Sequence, residues 1–306
     1  MPVSMSMSMS AAGILQSYSE SHAERYGRVA AAEDASEEVE RSVNRWLRDK
    51  LSRLGEGALV GDIGCGDGRL VPLLRGAGRT ILGVEVSRAM LARVPGAERE
   101  GRHAEHGSAC TLFATVSIAD IQAALRSHSE VYVEGALEEL LPELGRHGLQ
   151  LDAALSSFNA VCFRRPATPV DAIAACLRSD GALYFVSNVI VPSRMLEFGS
   201  HKQMLSLHEH LSASTPRQSM FRHVLHTQSG PVPLEDHIHT LPMLAAAFDP
   251  NRWRIVEACL FPAEGCEHLH PSDSRYDDAL GAAHEDLLPP DAGYTYLKVV
   301  VHATRR

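Results

Sequence analysis

The stretch Val60-Gly61-Asp62-Ile63-Gly64-Cys65-Gly66-Asp67-Gly68-Arg69-Leu70 decides the fold. A short apolar run, ALVGDI, ends beside an acid, glycines follow at alternate positions, and RLVPLLRGAG comes next. This pattern predicts a buried strand turning tightly into a helix, with glycine wherever the backbone must pass close to a bound group. The GxGxG loop is shorter than the GxGxxG spacing that cradles a dinucleotide pyrophosphate, and Asp62 and Asp67 beside it would repel phosphate. A ligand carrying an ammonium group and no phosphate fits better. The run TILGVEV, residues 80–86, predicts a second strand ending at Glu85, 23 residues beyond Asp62. A carboxylate about 20 residues past such a loop is suited to accepting hydrogen bonds from ribose hydroxyls.

Outward from this core, strands and helices alternate. Ser87 is a reasonable cap for a helix SRAMLARV. VYVEG at 131–135 and LDAALSSF at 151–158 predict strands, as does ALYFVSNVIV at 182–191. Between them, LEELLPELGRHG predicts one helix and VDAIAACLRSDG another, closed by Gly181. Upstream, Val39, Val43, Trp46, Leu47, Leu51 and Leu54 recur at helical spacing until Gly55 and Gly57 stop the run. Residues 95–129 interrupt the alternation, and TLFATVSIADIQAAL within them offers an extra strand and helix. Alternation of this kind implies a parallel sheet wound by right-handed crossovers. Later, RHVLHTQ (222–228) and EDHIHT (235–240) predict an antiparallel pair linked through Ser-Gly-Pro-Val-Pro-Leu. A helix LPMLAAAF follows, and WRIVEACLF (253–261) and YTYLKVVVHA (294–303) read as two final strands joined by an acidic excursion.

Composition narrows the function classes. The 306 residues carry 38 acids against 29 bases, a net charge of −9, which argues against binding bulk nucleic acid through a basic surface. The opening MPVSMSMSMS lacks a basic segment followed by an apolar one, so it is expected to be a disordered leader over residues 1–12 and not a signal peptide. No run approaches the length that spans a bilayer. The cysteines (Cys65, Cys110, Cys162, Cys176, Cys259, Cys266) form no CxxC pair, which suits scattered reduced thiols in a cytoplasmic protein. A monomer or homodimer is expected.

With these motifs in hand, the chain resembles a class I S-adenosylmethionine-dependent methyltransferase over residues 17–303. The resemblance rests on GDIGCGDG, GVEVSRAML, LDAALSSFNAV and LRSDGALYFVS, with a terminal antiparallel hairpin and an N-terminal YSESHAERYGRV. It implies an α/β fold: a doubly wound, mostly parallel seven-stranded sheet, Rossmann-like, forming a single domain over 13–306. That domain would carry a helical lid at 14–54, an insertion at 95–129 and a substrate cap at 190–240. It also implies S-adenosyl-L-methionine as cofactor. By position, Asp62, Gly64, Cys65, Gly66 and Gly68 would hold the methionine portion, with Tyr26 approaching its carboxylate. Glu85 would bind the ribose, while Val86, Met90, Ala136 and Leu137 would lie along the adenine. Ser156, Ser157 and Phe158 would line the cleft near the sulfonium. One departure is plain: Ala136 stands where the family often has an acid for the adenine amino group, leaving Glu134, Glu138, a group from 95–129, or backbone alone to read it.

Methyl transfer from a sulfonium is an in-line displacement that needs positioning and sometimes a base, but no protein nucleophile. Nucleic-acid and protein amino-group methyltransferases commonly carry D/N-P-P-Y/F after the fourth strand; here the segment reads SSFNAV. Together with the acidic balance this favours a small-molecule acceptor, methylated on O or N. Seven of the 16 histidines fall between His201 and His239, inside the cap. His223, His237 and His239 are the candidate bases, since an imidazole titrates near working pH. Ordinary hydrogen-bonded cap histidines and an HxH metal site for C-methylation remain alternatives, as does a member of the fold that binds the cofactor without transferring its methyl.

Overall fold

The computed structural model describes residues 34–76, 78–94, 97–98, 109–112, 117–156, 167–192, 203–204, 220–227, 230–237, 244, 246–262 and 294–306. Side chains are described for 41–76, 78–94, 117–156, 167–187, 244, 246–259 and 300–306. The lid segment 14–33 with Tyr26, the leader, Ser157, Phe158, His239 and most of the cap lie outside these residues.

A helix α1 (Asp34–Leu51) leads into β1 (Leu59–Ile63), the strand predicted before the glycines. It is followed by α2 (Val71–Leu74), β2 (Thr80–Glu85), α3 (Arg88–Leu91), β3 (Ala97–Glu98), β4 (Ala109–Leu112) and α4 (Ile118–Ser127). Next come β5 (Glu130–Glu134), α5 (Leu137–Arg146), β6 (Leu151–Ser156), α6 (Ala167–Cys176) and β7 (Leu177–Pro192). The remaining strands are β8 (Gln203–Met204), β9 (Met220–Thr227), β10 (Gly230–His237), β11 (Trp253–Pro262) and β12 (Tyr294–Arg305). The main sheet has the order β3-β4-β5-β2-β1-β6-β7-β12-β11-β8. Its seven-stranded body, β5 to β11, is the doubly wound, mostly parallel sheet that the resemblance implies. The strands from β5 to β7 are parallel, and β12 and β11 join antiparallel. The 95–129 insertion supplies β3 and β4, which extend the β5 edge in parallel, and α4, closed by a Ser117–Asp120 capping box.

Two apolar layers sandwich the sheet. On one face, Val43, Trp46, Leu47 and Leu51 of α1 pack with Val71, Leu74 and Leu91 over Val60, Leu155 and Tyr184. On the other, Ile121, Leu141, Leu144, Val170 and Ile173 cover Ile63, Leu82 and Val131, with Phe248 and Trp253 closing the far end. Removing one such buried leucine typically costs about 2–5 kcal/mol.

Several predicted boundaries move. The helix expected over RLVPLLRGAG is one turn, because Arg75 is already extended and Gly76 and Gly78 adopt positive φ. The helix expected to close at Gly181 ends at Cys176, and Leu177 starts β7. Leu151 pairs with Leu177 and Ala153 with Ala182, so the chain from 178 to 181, with Asp180 at φ 60°, is accommodated as a bulge. Arg178 pairs with Asp152, and the Arg305 guanidinium donates to the Leu177 carbonyl, pinning both flanks of that bulge. In the cap, Gly-Pro-Val-Pro-Leu is strand and not connection: β10 begins at Gly230, and only Gln228 and Ser229 separate it from β9. Prolines two apart present their nitrogens to the same side of a strand, and a two-stranded ladder leaves one side of each strand free.

Residues in direct register carry one row across the sheet: Tyr132, Gly83, Asp62, Leu155, Tyr184, His302 and Glu257. Paired residues share a face, so these groups all lie under the α1 layer. At the far end of the row, Lys50 of α1 forms an ion pair with Glu257, and the Trp46 indole donates to the same carboxylate at 3.2 Å. The His302 ring lies 4.8 Å from that of Tyr184, and its Nδ1 is buried without a partner.

Burial, reinforced by Lys50, pushes the His302 imidazole down to about 4. A base depressed in the folded state stabilises above its unfolded value, near 6.5, and that contribution is lost as pH falls through about 4. His302→Phe, which keeps the ring contact, should therefore flatten the loss of stability between pH 6.5 and 4 in urea titrations. A slope equal to that of the parent protein would show that His302 does not carry it.

Candidate functional site

The carboxyl ends of β1, β2 and β5 converge on one half-exposed shelf. Gly64, Gly66 and Gly68 adopt φ of 77°, 56° and 79°, a run of left-handed turns that swings the chain from β1 toward α2. The Gly64 and Cys65 amides both donate to the Val84 carbonyl, at 2.7 and 3.1 Å, tying the loop to β2. At Gly68 a Cβ would meet Val94 at 3.0 Å and Val71 at 3.3 Å. Positive φ and close packing thus both require glycine there.

Glu85 organises the shelf. One carboxylate oxygen accepts from the Gly66 amide at 3.0 Å and the other from the Ser87 amide at 2.9 Å. Its own carbonyl accepts from the Gly135 amide at 3.0 Å, which brings Ala136, the residue before α5, beside the end of β2. Ser87 caps α3 by accepting from the Met90 amide at 3.3 Å, as its sequence position predicts. The methyl end of Met90 comes within 3.3 Å of where a Gly66 Cβ would stand. Glu134, a candidate to replace the missing acid, receives Arg88 Nε at 2.9 Å. The structure therefore gathers Asp62, Gly64, Cys65, Gly66, Gly68, Glu85, Val86, Met90, Ala136 and Leu137 at one end of three adjacent strands.

Beneath the loop the electrostatics are unusual. Asp62 is 1% exposed, and its Oδ2 is buried with no hydrogen-bond partner. Desolvation, with Glu85 nearby, raises its carboxyl from 3.8 to about 7. Glu85 is also raised, chiefly by desolvation, while the amides of Ser87 and Gly66 pull it back. Cys65 is buried and its thiol is pushed well up, so it is an inert filler and not a nucleophile. Gly83, opposite Asp62 in the row, leaves room for the Tyr132 ring: a Cβ there would stand 2.4 Å from Cδ1 of that ring. Sequence reading missed this packing and the Glu85 bonds. A glycine inside a strand facing an aromatic was the available signal for the first; backbone amide donors leave none for the second.

The remaining expectations fall elsewhere. Ser156 ends β6 opposite Ile63, fully buried, with its hydroxyl unpartnered. Paired as it is with Ile63, it sits on the face opposite Asp62. His223 and His237 occupy the β9–β10 ladder, which is separate from the main sheet. His237 pairs with Met220 and His223 with Leu234, so the two positions are an odd number of steps apart and fall on opposite faces of the ladder. Among the described residues no group of three or more His, Cys, Asp or Glu is placed to hold a metal, and no helix is long and apolar enough to cross a membrane.

Gly68→Ala should cost about 1–3 kcal/mol in urea unfolding, from left-handed strain and overpacking; an unchanged midpoint would contradict the packing described. Asp62 is raised on folding, so its stabilising contribution is full below about pH 4 and is lost as pH rises through about 7. Asp62→Asn should therefore gain stability relative to the parent, by roughly 2–4 kcal/mol, on going from pH 5 to pH 8.5. A parallel pH dependence of the two proteins would refute that assignment.

The sequence matches no family model and no curated protein. Among solved structures it is similar to geranyl diphosphate C-methyltransferase from Streptomyces coelicolor A3(2), solved with S-adenosyl-L-homocysteine. The identity is 14%, covering 87% of this chain and 79% of that one, with a TM-score of 0.45. It is also similar to magnesium protoporphyrin IX methyltransferase from Synechocystis PCC 6803 (12%, 89% and 84%, TM-score 0.42). A third likeness is to the cyclase SpnF (14%, 86% and 82%, TM-score 0.41).

Proposed function

We propose that this chain is an S-adenosylmethionine-dependent methyltransferase that moves a methyl group to an O or N atom of a small molecule. The observation that carries the reading is the joint placement of the glycine loop, Glu85 and Asp62 at the carboxyl ends of adjacent parallel strands. That edge is where ligands bind in open α/β sheets.

The residues present suit this cofactor. A buried, orphaned carboxyl beneath the loop answers a cationic ligand, and half-exposed loop backbone leaves room for close approach. Glu85, already oriented by two amides, would take ribose hydroxyls on its remaining lone pairs. Gly64 to Gly68 would hold the methionine portion, and Met90, Val86, Ala136 and Leu137 the adenine. When bound, the cofactor supplies an electrophilic methyl on a sulfonium. The protein's part is to orient the acceptor in line, an effect of ~7–11 kcal/mol in favourable cases, and to remove a proton where the acceptor holds one. Within the 190–240 cap, His223, His237 and His239 are the proposed bases. Because positions 223 and 237 fall on opposite ladder faces, only one of that pair faces a given acceptor. The net charge of −9 accords with an acceptor that is not a polyanion.

Titration calorimetry at pH 8 should give micromolar binding of S-adenosylhomocysteine. Glu85→Ala should weaken it about 10- to 100-fold, the worth of hydrogen bonds to a charged group. Absence of binding by either donor or product would sink the reading. With labelled donor and a metabolite pool, label should enter a small molecule. One of His223→Ala and His237→Ala should slow that transfer by roughly 10²–10⁴-fold; equal rates in both and in the parent would remove these two imidazoles from the chemistry.

A further inference from the structure

We propose that binding of the cationic cofactor expels a proton from the Asp62–Glu85 pair, so that occupancy of the site depends on pH. The inference rests on the proposed function and concerns the same site.

The geometry assigns the proton. The two carboxyls lie on one face at the ends of neighbouring strands, but their surroundings are unequal: Asp62 is buried and Glu85 partly exposed. Glu85 accepts amide hydrogens from Gly66 and Ser87, one on each oxygen, which favours its ionised form. Asp62 Oδ2 accepts none and is sealed from solvent. A second negative charge on the desolvated member of such a pair is strongly disfavoured without a compensating cation. Among the described residues facing Asp62, none supplies one. Glu85 comes from β2, Tyr132 from β5 and Cys65 from the loop, while Leu155 is the partner on β6; Asp67 acts on Glu85 and Cys65. No lysine or arginine is among them. Without ligand the pair is therefore held at a single negative charge, with the proton on Asp62.

A ligand bringing a positive charge to the loop reverses the balance. An opposite charge within ~4–6 Å favours the ionised form of a carboxyl, by an amount that reaches 1–3 pKa units. Direct contact with Asp62 is not required, since the field acts through the loop. The proton leaves from the Asp62 carboxyl to solvent, and the ligand's ammonium compensates the one negative charge that appears there. Because the bound state holds fewer protons than the empty one, affinity falls as pH drops below neutrality, approaching tenfold per pH unit, and levels off above it. A neutral nucleoside filling the ribose and adenine positions has no such effect. This separates proton coupling from simple occupancy.

The test is calorimetry of the whole protein at pH 6.5 in two buffers of different ionisation enthalpy. The ligands are S-adenosylmethionine, S-adenosylhomocysteine and neutral 5′-methylthioadenosine. The expected result is release of a substantial fraction of one proton with the two ammonium-bearing ligands and none with the neutral one, and loss of the release in Asp62→Asn. Binding of the charged ligands without buffer dependence overturns the inference and leaves the functional reading intact. Equal release with 5′-methylthioadenosine, or undiminished release in Asp62→Asn, overturns the assignment to charge at Asp62. No binding by any of the three overturns both readings. Should Asp62→Asn fail to fold, the parent protein's comparison of charged and neutral ligands, with the pH dependence of Kd from 6 to 8.5, decides the question alone.

Discussion

Two backbone amides on one carboxylate hold this site together. Gly66 belongs to the turn after β1 and Ser87 to the turn after β2, and both donate to Glu85. The Glu85 carbonyl in turn receives the amide of Gly135, from the turn after β5. Three connections that share no sequence proximity are thus fastened through a single residue. Charge-assisted bonds of this kind are about twice as strong as neutral ones. Their position under a desolvating layer makes the shelf a prepared surface, and a ligand finds the acceptor geometry already set.

The same constraint explains why Asp62 is left alone. The amides that point inward at this end of the sheet go to Glu85 or to the Val84 carbonyl, and Tyr132, lying over Gly83, gives its hydroxyl to Glu130. Asp62 is buried in the same layer with no donor for Oδ2. A buried polar group without a partner is destabilising, and such groups mark places where a structure is arranged for something other than its own stability.

Much of this could be read before any coordinates. The acid, the alternate glycines, Glu85 and the Ser87 cap are local signals: each requires a residue type at a fixed offset, and each stands where it was expected. The alternation of strands and helices likewise announced the sheet. What could not be read were decisions made by distant partners. Cys176 ends its helix because Leu177 has Leu151 to pair with and Arg305 to donate to its carbonyl. Pro231 and Pro233 look like a linker until His226 and Val224 are seen opposite them. The opposite facing of positions 223 and 237 depends on a register that only the two-residue connection sets.

The pairing of β7 with β12 has a consequence for how the molecule comes to exist. Ala182 meets Thr304 and Pro192 meets Tyr294, partners separated by on the order of a hundred residues along the chain. β12 lies inside the sheet, between β7 and β11, and not at its rim. During synthesis β7 must therefore remain an open edge until the whole cap and β11 have been made, and an open edge of this length invites pairing with another chain. The interval between making β7 and making β12 is the period when this protein is most exposed to aggregation. Closure by β12 is a late step, reached only after the whole cap has been synthesised.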